Sequence, residues 1–145
     1  VNEPDPTGRL AGEAVLLAAS RLTAMIHAAA AAEDLTPLQA RFLRTLHEPM
    51  PQADLAERLG LDPARVSALT RELGRRGLVE REHGRGDRRR RYARLTPAGD
   101  AVVDRIGARL TARSPMTQVL DRAERDTLVD LLGRVIAALP APGPG

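Results

Sequence analysis

The sequence predicts a mainly helical chain with one small β-hairpin, ordered as four helices, the hairpin, then two helices. Three observations predict this. The chain holds one Phe, one Tyr and no Trp, so its core must come from Leu, Val, Ile and Ala. Such a core suits packed helices better than a large sheet, since strands favour aromatic and β-branched residues. Prolines and capping residues recur at the starts of apolar-periodic segments. Between residues 78 and 95, two short runs, LVERE and RYARL, flank a glycine-containing tip, as in a hairpin. At 145 residues, the length is that of one domain.

Taken in order, residues 1–8 (VNEPDPTG) carry two prolines and no apolar period, and are expected to be disordered. Residues 9–33 read as a long helix with Leu10, Val15, Leu22, Met25, Ile26 and Ala29 near one stripe. The pattern breaks at Asp34-Leu35. Thr36, Pro37 and Gln39 then make a helix start: a cap, a proline at the first position and a capping box. This second helix runs to about His47 and buries Leu38, Phe42 and Leu46. Pro49 and Pro51 end it. A third helix covers 52–59 and stops at Gly60. Asp62 caps a fourth, with Pro63 first, which runs to Arg76 and stops at Gly77. In the hairpin Ala93 and Leu95 share a face; Arg91 falls on that face too and is expected beyond its packed part.

Thr96-Pro97 opens a fifth helix carrying Val102, Val103, Ile106 and Leu110. Ser114-Pro115 breaks it. Asp121 and Glu124 form a second capping box, opening a sixth helix through Leu139 with Leu128, Leu131, Leu132, Val135 and Ile136 inside it. Residues 140–145 (PAPGPG) are expected to be a disordered tail.

Composition excludes several functions. There is no cysteine, hence no disulfide, no thiolate metal site and no cysteine redox sensor. The cytoplasm is the expected compartment. No stretch is expected to approach the roughly 18 apolar residues of a membrane helix, and no signal-peptide pattern precedes the first helix. His27, His47 and His83 are scattered over different elements, so no metal site and no cofactor are expected. Nor does a catalytic set emerge. Ser20, Ser67 and Ser114 have no His nearby in sequence, and the glycines at 84 and 86 make a turn rather than a phosphate loop leading into a helix. An enzyme is not expected.

Charge is informative through its placement. The net value is only +3, and all 22 basic residues are arginine. Residues 75–94 hold nine arginines against Glu80, Glu82 and Asp87, a local balance of +6. The rest of the chain therefore carries −3. A basic segment on an acidic body is the footprint of a polyanion-binding element. Arginine also offers planar, bidentate contacts to phosphates and guanine edges.

The segment QADLAERLGLDPARVSALTREL, residues 52–73, reads as helix, tight turn, helix. Ala56 is small where two helices cross closely, Gly60 allows a positive φ at the turn, and Val66, Leu69 and Leu73 form a buried stripe. This is the spacing of a DNA-binding helix-turn-helix, whose second helix enters the major groove. The opposite face carries Pro63, Ala64, Arg65, Ser67, Ala68, Thr70 and Arg71, short or basic side chains that let a helix sit deep in a groove about 12 Å wide. Arg65, Ser67 and Arg71 are the candidates for bases and phosphates. The hairpin that follows is then a wing. Its candidate DNA-binding residues are Arg85, Asp87, Arg88, Arg89, Arg90 and Arg91. Arginine suits a narrow, electronegative minor groove, while Asp87 is expected to brace the neighbouring arginines. The fold class is a winged helix-turn-helix.

With LTPLQARFLRTL, DLAERLGLDPARVSALTRELGRRGLVER and DRRRRYARLTPAGDAVV in view, the chain resembles the MarR family of transcriptional regulators over about residues 9–139. Asp87, Arg89, Leu95 and Thr96 match the family's wing signature. The resemblance implies a homodimer, with residues 9–35 and 97–139 as its helical dimerisation region and 36–96 as the DNA-binding region. It implies that Arg89 is the wing-tip arginine for the minor groove. Two departures stand out: Ala68 occupies a position where an arginine is usual, and Arg90 and Arg91 make the wing more basic. The resemblance also implies a repressor that binds an inverted repeat and is released by a small, often phenolic, ligand. Its cleft would lie near Met25, Phe42 and Arg44. The competing reading is an effector-independent architectural DNA-binding protein, which the extra arginines favour.

Overall fold

The computed structural model describes residues 5–83 and 91–140, and divides the chain into two compact units, 1–110 and 111–145. In the first unit, α1 (Pro6–Ala31) is capped by Asp5, whose carboxylate accepts the Thr7 amide at 3.0 Å. The helix therefore begins before residue 9, and residues 5–8, expected to be disordered, form its start. Pro6 at the first helical position explains this, because its fixed φ is preset for a helix. A second expectation is also corrected. By length and composition α1 is apolar enough to cross a membrane. Its many alanines, with Glu13 and Arg21 set among them, hid this from a count of consecutive strongly apolar residues.

α1 turns into α2 (Pro37–Thr45) through Asp34, the one non-glycine residue at positive φ (55°) among those described. Asp tolerates this conformation because its short polar side chain bonds locally. The Thr36 capping box forms in full: Thr36 Oγ1 accepts the Gln39 amide at 3.2 Å, and Gln39 Oε1 accepts the Thr36 amide at 2.9 Å. α3 (Gln52–Leu59) ends at Gly60 with φ 66°, as the turn requires. α4 (Pro63–Arg75) starts on Asp62, which accepts the Arg65 amide at 2.9 Å.

The hairpin has strands β2 (Val79–His83) and β3 (Arg91–Leu95), paired antiparallel from Val79 with Leu95 to His83 with Arg91. A third strand, β1 (Met50–Pro51), pairs with the far edge of β3 and gives the order β1-β3-β2. Pro49 and Pro51 in the sequence predict only a helix stop here. Proline is tolerated in such an edge strand because the ladder does not need its missing N–H.

The core of this unit lies where α2, α3, α4 and the sheet meet. Phe42, Leu43, Leu55, Val66, Leu73, Ala93 and Ile106 are all fully buried. Each large apolar side chain removed from water here contributes about 1.5–3 kcal/mol. α5 (Pro97–Ala112) joins this core through Val102 and Ile106, with Val103 and Leu110 packed against it.

One joint fixes the start of α5. Thr96 N–H donates to the Leu78 carbonyl (3.1 Å) and its hydroxyl to the Gly77 carbonyl (2.6 Å); the same hydroxyl accepts the Gly99 amide (3.0 Å). Gly99 lies so close that a Cβ there would stand 2.1 Å from the Leu78 carbonyl oxygen.

In the second unit, the short helix α6 (Pro115–Val119) precedes α7 (Arg122–Ala138). The break at Ser114-Pro115 thus holds a helix that the sequence pattern was too short to reveal. The Asp121–Glu124 capping box forms in both directions, at 2.8 and 2.9 Å. None of the α7 side chains is buried.

Gly99→Ala is expected to destabilise the fold, because a main-chain carbonyl cannot swing aside as a side chain can. Overpacking of this kind costs about 1–3 kcal/mol. Urea unfolding followed by circular dichroism measures it, and an unchanged midpoint would contradict the crowding.

Candidate nucleic-acid interface

α4 divides cleanly into two faces. Val66, Leu69 and Leu73 are buried, and Pro63, Ala64, Arg65, Ala68 and Arg71 are exposed. Positions 64, 67, 68 and 71 recur at helical spacings of three and four, so they form one stripe. Apart from Arg71, the side chains of this stripe are short, Ala64, Ser67 and Ala68, leaving that part of the helix backbone free to approach a surface closely.

Two residues expected on this face are placed differently. Thr70 is a correction: it is 2% exposed, and its hydroxyl donates to the Val66 carbonyl at 2.8 Å. Its position puts it on the core side, where this internal bond satisfies its polar group. Ser67 is half-buried, and its carbonyl accepts a hydrogen bond from Arg81 Nη2 at 3.2 Å, with the hydroxyl 3.5 Å from the same nitrogen.

Arg81 comes from β2, opposite Ala93. Alternation along the strand sends its neighbours Glu80 and Glu82 to the other face. There Arg94 meets both, at 2.8 Å from Glu80 and 3.9 Å from Glu82. The acids of this strand are thus turned away from α4 and paired, while its arginine is turned toward α4. Counting charges in the segment could not show this; reading LVERE with a period of two would have. Of the expected wing residues, Arg91 is exposed at the start of β3. Arg85, Asp87, Arg88, Arg89 and Arg90 lie outside the described residues.

The C-terminal end of α4 is tied to the α1–α2 turn. Arg76 donates to the Asp34 and Glu33 carbonyls at 2.9 and 3.3 Å, and Gln39 Nε2 donates to Glu72 at 3.0 Å. Gln39 thereby serves two helices, its carbonyl oxygen capping α2 and its amide nitrogen holding α4. A glutamate could cap as well but would repel Glu72. The Glu33 side chain, only 9% exposed, takes a forked contact from Arg105 and a further one from Arg109, at 2.9 and 3.4 Å. The hydrogen bonds from Arg105 hold its carboxyl below the usual value, against the opposing effect of burial.

A cavity of about 390 Å³ opens between α1 and α2, lined by Ile26, His27, Leu38 and Ala40 with Arg41 and Arg44. Of the residues expected at a ligand cleft, Arg44 lines it. Phe42 does not: it is fully buried in the core and outside the lining. Met25 is half-buried and outside the lining. Among the described residues, no group of three or more His, Asp or Glu side chains is arranged to hold a metal ion.

The MarR family profile matches residues 33–90, the span from the end of α1 into the hairpin. A probable transcriptional regulator from Pseudomonas aeruginosa is 30% identical, with a TM-score of 0.64, over 86% of this chain and 95% of that one. The chain belongs to the MarR family. Members are transcriptional regulators with a winged-helix DNA-binding fold, and the exposed stripe of α4 beside the β2–β3 hairpin is that fold. RV1404 from Mycobacterium tuberculosis is 28% identical with a TM-score of 0.78, over 97% of this chain and 99% of its own. A mutant of MarR from E. coli complexed with operator DNA shares the fold at 23% identity, with a TM-score of 0.67 over 93% of this chain and 96% of that one. Among curated proteins, no relative matches the chain.

Within this MarR-family chain, Glu33 gives a pH prediction. Its proton is bound less readily in the folded than in the unfolded chain, because the ion pair favours the carboxylate. The stability it supplies is complete above the ordinary value of 4.5 and is lost as pH falls below it. Glu33→Gln should therefore be less stable than the parent at neutral pH. The difference should shrink on acidification through about pH 5 to pH 3. Thermal unfolding across that range tests this; a constant difference would show that the ion pair is not its source.

Proposed function

We propose that this chain is a homodimeric, sequence-specific repressor that binds an inverted repeat in double-stranded DNA and is released by a small organic anion. The observation that carries the DNA reading is the exposed face of α4: two arginines among short side chains, next to a strand, β2, whose acids Glu80 and Glu82 are turned away and paired with Arg94. The relative crystallised with operator DNA supports it. Arg65 and Arg71, with Pro63, Ala64 and Ala68 giving close approach, read the major groove. Arg85, Arg88, Arg89, Arg90 and Arg91 supply the wing, with Asp87 as their brace. The cytoplasm, where bacterial DNA lies, is the compartment this implies.

Dimerisation rests on apolar surface. In α1, Leu10, Val15, Leu16 and Leu17 are exposed, Leu16 by 72%. In α7, Val129, Leu131, Val135 and Ile136 are exposed as well. Faces of this kind mark association surfaces. We assign residues 9–35 and 97–139 to the dimer base and 36–96 to DNA binding. A two-fold pair of recognition helices meets successive major grooves about 34 Å apart.

Selection of bound duplexes from a random library is expected to return an inverted repeat with half-sites one turn apart. Arg65→Ala or Arg71→Ala should relax preference at particular base pairs, by roughly 1–3 kcal/mol for a bidentate contact. Arg89→Ala should instead weaken all duplexes and flatten the salt dependence. Equal losses on every duplex for both classes would overturn this division. Binding without any recovered motif would favour the architectural reading, which the +6 balance of residues 75–94 supports.

The ligand reading rests on the cavity between α1 and α2, where Arg41 and Arg44 offer two cations beside apolar walls. Such a site suits a small aromatic or aliphatic acid. Titration with salicylate should give heat in calorimetry and release bound DNA. Neither heat nor release would remove the effector from the proposal.

A further inference from the structure

We infer that Arg81 is a phosphate-binding residue that grips the DNA strand separating the two grooves this protein occupies. The inference rests on the DNA-binding reading above and adds a residue to it.

The argument is topological. A recognition helix in the major groove and a wing in the adjacent minor groove stand on opposite sides of one sugar-phosphate strand. That strand has to pass over the junction between the helix and the first strand of the hairpin. Arg81 stands at this junction. It is exposed, it rises from β2, and its guanidinium reaches the carbonyl of Ser67 on the exposed stripe of α4. Ser67 is flanked on that stripe by Ala64, Ala68 and Arg71, so the guanidinium is held at the edge of the surface that meets DNA.

Three physical features fit a phosphate there. The contact with Ser67 uses Nη2, and a guanidinium carries five N–H donors in a planar fork, so one amino group can stay on the helix while others turn to an anion. The bond to a neutral carbonyl leaves the charge of Arg81 uncompensated by it. And the two carboxylates adjacent in sequence point to the opposite face, where Arg94 neutralises them. Had Arg81 been a strut of ordinary kind, a carboxylate partner on α4 would have served better than a backbone carbonyl. The Ser67 contact also fixes the direction of the guanidinium before DNA arrives, which lowers the ordering cost of binding.

A purely structural role would move stability and leave electrostatics alone, so the test reads the salt dependence. Full-length protein and its Arg81→Gln and Arg81→Lys variants are titrated with a duplex recovered by selection, at several salt concentrations. Each lost phosphate contact lowers the slope of log K against log salt by about 0.9. Arg81→Gln is expected to show that drop for each protomer bound, on specific and unrelated duplexes alike, with base preference unchanged. Arg81→Lys, which keeps the charge, is expected to restore the slope.

Duplexes with single methylphosphonate substitutions then locate the contact. The parent should lose affinity when one phosphate between the two grooves of a half-site is neutralised, and Arg81→Gln should be indifferent to that substitution. An unchanged slope and an unchanged methylphosphonate profile, with only a lower unfolding temperature, would make Arg81 a strut and overturn the inference. Failure of the parent to bind any duplex would remove the DNA reading itself, and this inference with it.

Discussion

The arrangement of the DNA-facing surface depends on the joint at Thr96 and Gly99. Three elements meet there: the end of α4 at Gly77, the entry to β2 at Leu78 and the start of α5. Thr96 closes hydrogen bonds to the first two through its amide and hydroxyl, and Gly99 lets α5 come close enough for them to form. The angle between recognition helix and hairpin is set by this joint, because Gly77, at φ 72°, is a sharp left-handed turn with no side chain of its own to hold it. Arg81 makes a second tie farther along β2. With two ties, the end of α4 and the base of β2 are held together at both Gly77–Leu78 and Ser67.

Charge is sorted on that corner rather than merely accumulated. Excess positive charge repels itself in the compact state. The chain limits the repulsion by pairing arginines with acids away from the exposed face of α4: Arg94 with Glu80 and Glu82, Arg105 and Arg109 with Glu33. Arg65 and Arg71, both exposed on α4, have no acid between them in sequence. The small net charge and the strongly basic interface are therefore compatible, since they describe different faces.

Local chemistry made most of the fold legible in the sequence. Both capping boxes, at Thr36 and Asp121, formed as read, because they depend on residues three apart and on nothing distant. The Gly60 turn and the buried stripe of α4 are local in the same sense. What escaped was set by tertiary contact. Met50–Pro51 became a strand only because β3 offered an edge, and two residues carry no period. Phe42 went to the core rather than the cleft because the α2 face that bears it meets α3 and α4. The polarity of Thr70 suggests the outer stripe, but its helical angle belongs with Val66. Arg81 was counted as charge but not given a face, and the ion pairs of Glu33 join positions more than seventy residues apart.

These contacts meet in α2. One side of this helix, through Leu38, Ala40, Arg41 and Arg44, lines the cavity. Its first turn, through Gln39, caps itself and holds Glu72 on α4. The two functions sit on consecutive residues, Leu38, Gln39 and Ala40, within a helix of nine residues that is too short to bend between them. A displacement of α2 at the cavity is then a displacement of Gln39 as well. It must either drag α4 or break a part-buried hydrogen bond whose partners are polar groups with few alternatives. Arg76, bound to the carbonyls of Glu33 and Asp34 at the other end of the same turn, opposes free rotation of α4. α4 is thus braced from the side that carries the cavity, so its position is linked to the packing of α2 against α1.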